Sequence, residues 1–186
     1  MIGIPLGLLY ANAVEAMFHR HVLHGIGKDP KSFWAFHWNE HHREARRDGF
    51  HDRHYRTRPW LGWHPQTKER LGAALAVLVH LPLAPVAPFF VATIAVCGAW
   101  FAVLHQRAHL DPAWARAHLP WHYDHHMGPD QDKNWGIAFD WYDRLAGTRV
   151  PYAGTEREAR DDARRAARAA GGAGGAPACR SASSPP

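Results

Sequence analysis

Ten of the sixteen histidines in this chain of 186 residues fall into four groups along the sequence. The groups are His19 and His24; His37, His41 and His42; His105 and His109; and His122, His125 and His126. Neutral imidazole is the commonest side-chain ligand of transition metals, and a tetrahedral zinc ion takes only about four ligands. Ten imidazoles from four segments therefore predict a metal centre, and two ions are the natural number.

The spacing within each group indicates how its imidazoles converge. An α-helix turns by about 100° per residue, so residues four apart lie about 40° from each other on one face. Two pairs have this spacing, His105 with His109 and His37 with His41. In the fourth group the first histidine precedes the other two by three and four residues, which predicts one stripe of three imidazoles.

The first group has the weakest local geometry. His19 and His24 are five residues apart, or about 140° around an ideal helix, so one of them is expected where the helix frays or turns. On local geometry alone, His21 could replace His19. A single pair of histidines is more often a surface accident than a ligand pair, and the isolated residues His51, His54, His64, His80 and His118 are interpreted in that way.

Composition and charge narrow the classes of partner. The length predicts one main domain, and the net charge of +5 with a sequence pI near 9.6 indicates contact with nucleic acid or with an anionic membrane surface. No motif that reads nucleic acid is recognisable. The apolar segments favour the membrane, and we expect no nucleic-acid partner.

Residues Leu71 to Leu104 contain no Asp, Glu, Lys or Arg over thirty-four positions. Pro82, Pro85 and Pro88 divide this segment, since a proline ring ends one helix and permits another to begin. Each arm of about 17 residues would be roughly 25 Å long, against a hydrocarbon core of about 30 Å. The pattern predicts a short transmembrane or re-entrant hairpin, with a buried hairpin of a soluble protein as the alternative.

A second apolar segment runs from Met1 to Phe18 and carries one charge, Glu15. It has the length of a signal peptide but lacks a basic leading region, so we interpret it as a membrane helix. Every Lys and Arg, and every histidine group, lies in the polar segments that follow the apolar ones, which places these segments in the cytoplasm. The predicted fold is an all-α integral membrane bundle with a short transmembrane hairpin and a cytoplasmic, histidine-rich helical cap.

The remaining sequence predicts supporting elements. Residues 134–152 read as a helical stretch that stops at Gly147, and a charged helix follows from Thr155 before a disordered Ala/Gly/Ser/Pro tail. This divides the chain into a domain of residues 1–152 and a segment of residues 153–186. Cys97 and Cys179 form no disulfide framework. Acidic candidates for orienting the imidazoles are Glu40, Asp111, Asp124, Asp130 and Asp132.

The histidine groups resemble the histidine boxes of the fatty acid hydroxylase and sterol desaturase superfamily. The boxes are HRHVLH at 19–24, HWNEHH at 37–42, HQRAH at 105–109 and HYDHH at 122–126, with NWG at 134–136 and WYDRLAGT at 141–148 similar to the closing motif. The resemblance covers about Ala13 to Tyr152. His21 is left out of the ligand set because of the spacing of the family's first box.

The resemblance implies a membrane-bound, non-haem dimetal oxygenase of lipid metabolism or lipid biosynthesis. Such an oxidoreductase would use two iron ions, O2 and two external electrons to hydroxylate a C–H bond of a fatty acyl, sterol-like or carotenoid substrate. The ligands would be the ten grouped histidines, with zinc as another ion they accept. No cytochrome b5 module is recognisable, so a separate protein would donate the electrons. A lipid desaturase on the same site and a non-redox, zinc-binding membrane protein remain alternatives.

The second box departs from the family pattern. Three residues separate His37 from His41, where the family usually has two, and this shifts His37 around an α-helix relative to His41 and His42. His37 is therefore the ligand of that box that the pattern supports least.

Overall fold

The polypeptide is helical, without strands, in the part of the chain that the structure describes, residues 2–58 and 62–173 of a computed structural model. The predicted all-α fold class is confirmed. The chain divides into two compact units, one up to Ala153 and one from Gly154 onward. The predicted tail beyond residue 173, with Cys179, lies outside the described residues.

The α-helices of the first unit are α1 (Gly3–Phe18), α2 (Arg43–Arg47), α3 (Pro65–His80), α4 (Pro88–Leu110), α5 (Pro112–His118), α6 (Pro120–Met127) and α7 (Trp141–Ala146). Two π-helical turns are inserted among them, His19–Leu23 and His37–His42. Short 3-10 helices cover Ile26–Lys28, Arg53–Arg56 and Leu81–Leu83. A proline at the first helical position begins α3, α4, α5 and α6, since the missing N–H has no helical partner there.

Helix α4 packs against both α1 and α3. The contact with α1 is close because glycines face it: a Cβ atom at Gly3 would lie 2.8 Å from the Phe90 nitrogen, and one at Gly7 would lie 2.8 Å from Thr93 Cβ. Small residues allow two helix backbones to approach in this way, a device common in membrane helices. Helices α3 and α4 form the hairpin that the apolar segment predicts, joined through Leu81–Leu83.

In the described part of the chain, α4 is the helix that is long and apolar enough to cross a membrane, with 23 residues. Helices α1 and α3 have 16 residues each. All three nevertheless present large apolar side chains outward, among them Ile4, Leu6 and Leu9 on α1, Leu75, Leu78 and Val79 on α3, and Phe89, Val96, Trp100 and Val103 on α4. Contiguous exposed apolar surface marks a contact with lipid or with another protein.

A buried core joins the end of α4 to helices α5 and α6. Its members are Phe50, Leu104, Ala108, Ala115, Leu119, Tyr123, Met127, Ala138 and Tyr152. The Phe50 ring stacks on the imidazole of His109 with the ring centroids 4.5 Å apart. The core therefore supports the histidines of α4 and α6 directly.

The helical interpretation of residues 134–152 is correct only for α7. Residues 134–140 form a loop, because carboxylates capture the backbone N–H groups that a helix would pair with carbonyls. The Asp143 carboxylate accepts from the nitrogens of Trp135 (2.8 Å) and Gly136 (2.7 Å), and Glu15 accepts from Ile137 and Ala138. The predicted end of the helix at Gly147 is confirmed. Gly147 ends α7 with φ of 67°, in the left-handed region that favours glycine.

In the second unit the predicted charged helix is α8 (Glu156–Ala173). Its acidic and basic side chains pair three and four residues apart, as Arg157 does with Asp161 and Arg164 with Asp161. Such exposed pairs support an isolated helix modestly, by about 0.2–0.5 kcal/mol each.

Candidate metal centre

All ten grouped histidines are buried, each with at most 2 % of its surface exposed. They meet at one place in the first unit, where the end of α1, the segment 37–42, the end of α4 and helix α6 converge. Burying ten ionisable side chains is costly unless each has a partner for its polar atoms. In six of them Nδ1 has a backbone carbonyl or a carboxylate as its partner, whereas Nδ1 of His37, His122 and His126 has no hydrogen-bond partner among the described residues.

The imidazoles divide into two groups. In the first, the candidate ligand atoms of five residues lie within 4.8 Å of one another: His19, His24, His37, His42 and His125. In the second, the same limit holds for His41, His105, His109 and His126. The tenth histidine, His122, joins the second group, since its Nε2 lies 3.1 Å from His109 Nε2. Each group has enough ligands for one metal ion.

Neighbours in sequence are assigned to different groups. His41 belongs to the second group and His42 to the first, while His125 belongs to the first and His126 to the second. The predicted single stripe on α6 is therefore wrong for His125: its ring centroid is 6.3 Å from that of His122, whereas His126 is 4.7 Å away. Helix α6 lies between the two groups and supplies both.

One of the pair His19 and His24 was expected where the helix frays or turns, and His24 does lie in a turn, directly after a π-helical segment. The helix widens over His19–Leu23, and the His24 nitrogen donates to the His19 carbonyl oxygen at 3.0 Å. A hydrogen bond between residues five apart places them one above the other, which an α-helix does not. Both imidazoles thus enter the first group.

The second π-helical turn resolves the extra residue in the second box. Over His37–His42 the same wide turn places His37 next to His42, with the two Nε2 atoms 3.1 Å apart. An α-helix would have paired His37 with His41, as the spacing of four suggested. The structure brings His37 into the first group and leaves His41 to the second.

Three Nδ1 atoms donate to backbone carbonyl oxygens. His19 Nδ1 lies 2.7 Å from Trp135 O, and His125 Nδ1 lies 2.7 Å from Lys133 O. His109 Nδ1 lies 2.8 Å from Phe50 O. A backbone carbonyl only accepts, so each of these imidazoles carries its proton on Nδ1 and directs the Nε2 lone pair inward.

Carboxylates orient other imidazoles, and sequence analysis missed two of the three. His41 Nδ1 lies 2.8 Å from Asp52 Oδ2, and His105 Nδ1 lies 3.0 Å from Glu69 Oε2. His24 Nδ1 lies 3.1 Å from Asp132 Oδ1, and Asp132 was among the candidates. Asp52 and Glu69 stand 11 and 36 residues from their partners, so no local spacing signals them.

The other four acidic candidates contact partners other than the grouped imidazoles. Glu40 lies 3.8 Å from Lys68 Nζ, Asp111 caps α5 through the Trp114 nitrogen, Asp124 pairs with Arg149, and Asp130 accepts from the Asp132 nitrogen. Although these four carboxylates are close to the histidine boxes in sequence, they therefore do not orient the grouped imidazoles.

The inward-facing nitrogens lack proton donors, and this fits a bound cation. His42 Nε2 lies 3.1–3.2 Å from the Nε2 atoms of His24, His37 and His125, yet it can donate one proton at most. In the second group the Nε2 atoms of His41 and His126 are buried and have no hydrogen-bond partner among the described residues. Converging lone pairs repel one another, and a metal ion in each group would remove that repulsion.

At the seven histidines named in this paragraph, burial favours the neutral imidazole, which is the form that binds a metal. It lowers the pKa of His37 to about 4 and that of His125 to about 3, from 6.5. Burial, and then repulsion between neighbouring imidazoles, holds the pKa well below the usual value at His19, His24, His42, His122 and His126. Metal ions displace protons readily from such a site.

Glu69 lies between the two groups. Its Oε2 accepts from Tyr55 Oη at 2.6 Å and from His105 Nδ1 at 3.0 Å, and its Oε1 is 3.9 Å from His37 Nδ1. One ligand atom each from Glu69, His37 and His41 falls within 4.8 Å. The carboxylate thus links an imidazole of the first group to one of the second.

An apolar cavity of about 190 Å³ opens onto both groups. Helices α1, α3 and α4 and residues 137–139 line it, and His19, His37 and His105 lie at its inner end. Its walls include Ala73, Ala76, Val77, Ile94, Gly98 and Phe101. Lining of this kind suits the hydrocarbon part of a ligand and excludes water from the histidines.

The ungrouped histidines lie elsewhere. His21 is exposed, so it does not replace His19. His51 pairs with Asp48, His54 with Asp52, His80 with Tyr10 and His118 with the Trp114 carbonyl. His80 also lines the cavity, at the end of α3 opposite to Glu69.

In comparisons with known proteins, no protein-family profile, no curated protein and no solved structure matches this chain.

Proposed function

We propose that this chain is a membrane-bound, non-haem di-iron oxygenase that hydroxylates a C–H bond of a lipid with O2 and two external electrons. One observation carries the proposal: ten buried imidazoles form two groups with converging Nε2 atoms at the inner end of an apolar cavity. The similarity of the four histidine segments to the boxes of the fatty acid hydroxylase and sterol desaturase superfamily supports the same function.

The choice of a redox reaction rests on the kind of bond that the proposed reaction breaks. Cleavage of an unactivated C–H bond is beyond acid–base side chains, and a pair of iron ions supplies that oxidising chemistry when bound. The protein would orient the substrate and exclude water from the site. The apolar walls would orient a hydrocarbon substrate, with its reacting carbon near His19, His37 and His105. Backbone carbonyls and the carboxylates of Asp52 and Glu69 keep the imidazoles in place.

The outer surface of the helices supports a membrane location for the substrate. Helices α1, α3 and α4 line the cavity on their inner faces and carry large exposed apolar side chains on their outer faces, such as Leu9, Leu78 and Val96. A lipid could pass from the bilayer to the cavity between helices of this kind without entering water. We further propose that the polar cap around the histidines lies at the cytoplasmic surface of the membrane.

Elemental analysis of anaerobically purified protein tests the proposal. We expect about two iron ions per chain, loss of iron and of lipid hydroxylation in His125→Ala, and no change in the exposed-site control His118→Ala. Ala73→Trp, which fills the cavity, should retain both ions and lose hydroxylation. Absence of metal after reconstitution with ferrous iron would refute the proposal, and an unsaturated rather than hydroxylated product would assign a desaturase to the same site.

A further inference from the structure

A cluster of six exposed arginines lies beside the second histidine group. They are Arg43, Arg46, Arg47, Arg53, Arg56 and Arg58. Within residues 43–58 the one exposed carboxylate is Asp48, because Glu44 and Asp52 are buried. We call these six residues the arginine face.

Contacts fix the arginine face against the metal centre. Arg46 Nη1 donates to the carbonyl oxygens of His126 (3.1 Å) and Gly128 (2.9 Å). Glu44 pairs with Arg47 and, at 3.2 Å, with Arg53, which holds α2 beside the 3-10 helix Arg53–Arg56. The Asp52 nitrogen donates to the carbonyl oxygen of His109 at 3.1 Å. Arg46 therefore contacts the backbone of His126 in the second group, and Arg47 and Arg53 share the Glu44 carboxylate on the same helix α2.

A short hydrogen-bonded path leads from this face to a candidate ligand. The His54 side chain is 24 % exposed, and its Nδ1 lies 2.8 Å from Asp52 Oδ1. The other carboxylate oxygen, Oδ2, lies 2.8 Å from Nδ1 of the fully buried His41. One carboxylate thus separates a surface imidazole from an imidazole of the second group.

The arginine face is separate from the substrate cavity. Helices α1, α3 and α4 line the cavity, and none of the six arginines is among its lining residues. A partner on the arginine face would leave the cavity open to a lipid. The proposed reaction needs such a partner, since it consumes two electrons that the chain itself does not supply.

We propose that the arginine face is the docking site of an acidic one-electron donor protein. This inference rests on the proposed function, and charge complementarity sets the kind of partner, because a positive patch steers an acidic surface into place. In each encounter the reduced donor would give one electron to a ferric ion that the histidines would hold; the ion would become ferrous and the donor would be oxidised. Two encounters supply the two electrons.

The association rate with an acidic [2Fe–2S] ferredoxin tests the docking site. The full chain is placed in nanodiscs of phosphatidylcholine, which carries no net charge, and association is followed at 50 and 200 mM salt; we expect about a tenfold fall over this range. The double variant Arg56→Glu with Arg58→Glu should associate at least about tenfold more slowly at low salt. The matched control, Lys31→Glu with Arg144→Glu, has the same change of charge at exposed sites and should stay within about twofold.

A second readout links docking to electron transfer. Oxidation of photoreduced ferredoxin by the iron-loaded protein should slow in the Arg56→Glu, Arg58→Glu variant, while reduction by dithionite, a small molecule, should not. Equal effects in the variant and its control would overturn the proposal. So would unchanged ferredoxin association combined with loss of binding to phosphatidylserine vesicles, which would assign the arginines to lipid headgroups. Association needs no bound metal, so it can succeed even where the proposed oxygenase function fails.

Discussion

At the scale of single residues, the two nitrogens have different tasks in six of the ten grouped imidazoles. Nδ1 takes a fixed partner, such as the Trp135 carbonyl for His19 or the Asp52 carboxylate for His41, and Nε2 is left to face the other histidines. The buried partners outside the boxes are therefore as informative about the site as the boxes themselves.

Asp52→Asn should weaken metal binding in the second group. An amide keeps the shape of the carboxylate but loses its charge, so it holds the His41 N–H less strongly; partners of this kind typically affect metal affinity by about 10- to 100-fold. The measurement is the apparent dissociation constant of the second ion by competition with a chelator. Asp48→Asn, at the exposed carboxylate beside His51, is the matched control and should leave the affinity unchanged.

His41 and His42 are neighbours in sequence but belong to different groups, so replacing one or the other should remove a different metal ion. His42→Ala should deplete the ion of the first group, and His41→Ala that of the second, because their ligand atoms belong to separate groups. Each variant should retain about one ion per chain, and the two should differ in the spectrum of the ion that remains. Identical spectra, or loss of both ions in each variant, would contradict the division into two groups.

Acidification should destabilise the metal-free protein below about pH 6.5. In the unfolded chain the imidazoles bind protons near pH 6.5, whereas the folded chain holds the pKa of His37 at about 4 and that of His125 at about 3. Between these values the unfolded state binds more protons, so the stability present above pH 6.5 declines as the pH falls. Thermal unfolding in detergent from pH 8 to pH 4 measures this. The double variant His37→Gln, His125→Gln should show a shallower decline, and a flat profile for the unaltered chain would contradict the prediction.

At the scale of elements, wide helical turns and a loop complete what α-helices alone would not. The π-helical turns His19–Leu23 and His37–His42 bring histidines five residues apart into one group. The loop 133–139 supplies the carbonyls that hold His19 and His125, and carboxylates fix its own backbone. The sequence signal for these devices is indirect: a spacing of five between histidines that must share an ion.

Gly136→Ala should disturb the loop and, through it, the first group. A Cβ atom at this position would lie 2.0 Å from the Phe139 carbonyl oxygen, so the backbone has to shift. We expect a loss of about 1–3 kcal/mol in the free energy of unfolding together with weaker retention of the first ion. Gly72→Ala in α3, where a Cβ atom meets nothing within 4 Å, is the control; it should leave ion retention unchanged and raise the free energy of unfolding by about 0.5–1 kcal/mol, since alanine favours a helix interior.

At the scale of the whole molecule, the fold separates an apolar side from a histidine-rich cap. Helices α1, α3 and α4 enclose the cavity and expose apolar surface, while the charged residues gather in the segments around α2, α5 and α6. The arrangement suits an apolar substrate that reaches buried polar ligands from one side and a charged partner that approaches from the other.

Val96→Glu should impair insertion into membranes if the outer face of α4 meets lipid. Val96 lies in the middle of α4 with 67 % of its surface exposed, and a carboxylate at the centre of a spanning helix costs about 2.5–3.5 kcal/mol on insertion scales. Leu145→Glu in α7, at a residue 86 % exposed, is the matched control and should insert normally. The measurement is the fraction of each variant that remains in the membrane pellet after an alkaline wash. Equal fractions would assign the outer face of α4 to a protein contact.

The sequence alone determined the all-α class, the hairpin with its proline break, and the ten histidines that the fold collects, because helical periodicity and proline geometry are local properties. Only the tertiary structure decided that the ten histidines divide into two groups of five, with His41 and His42 in different groups. It also decided that Asp52 and Glu69 orient imidazoles. These features depend on contacts between residues far apart in the chain, such as Glu69 with His105, and on turns that depart from the α-helix. Spacing along one segment carries no record of the distant contacts and only an indirect one of the wide turns, since both depend on how separate helices pack in the same buried space.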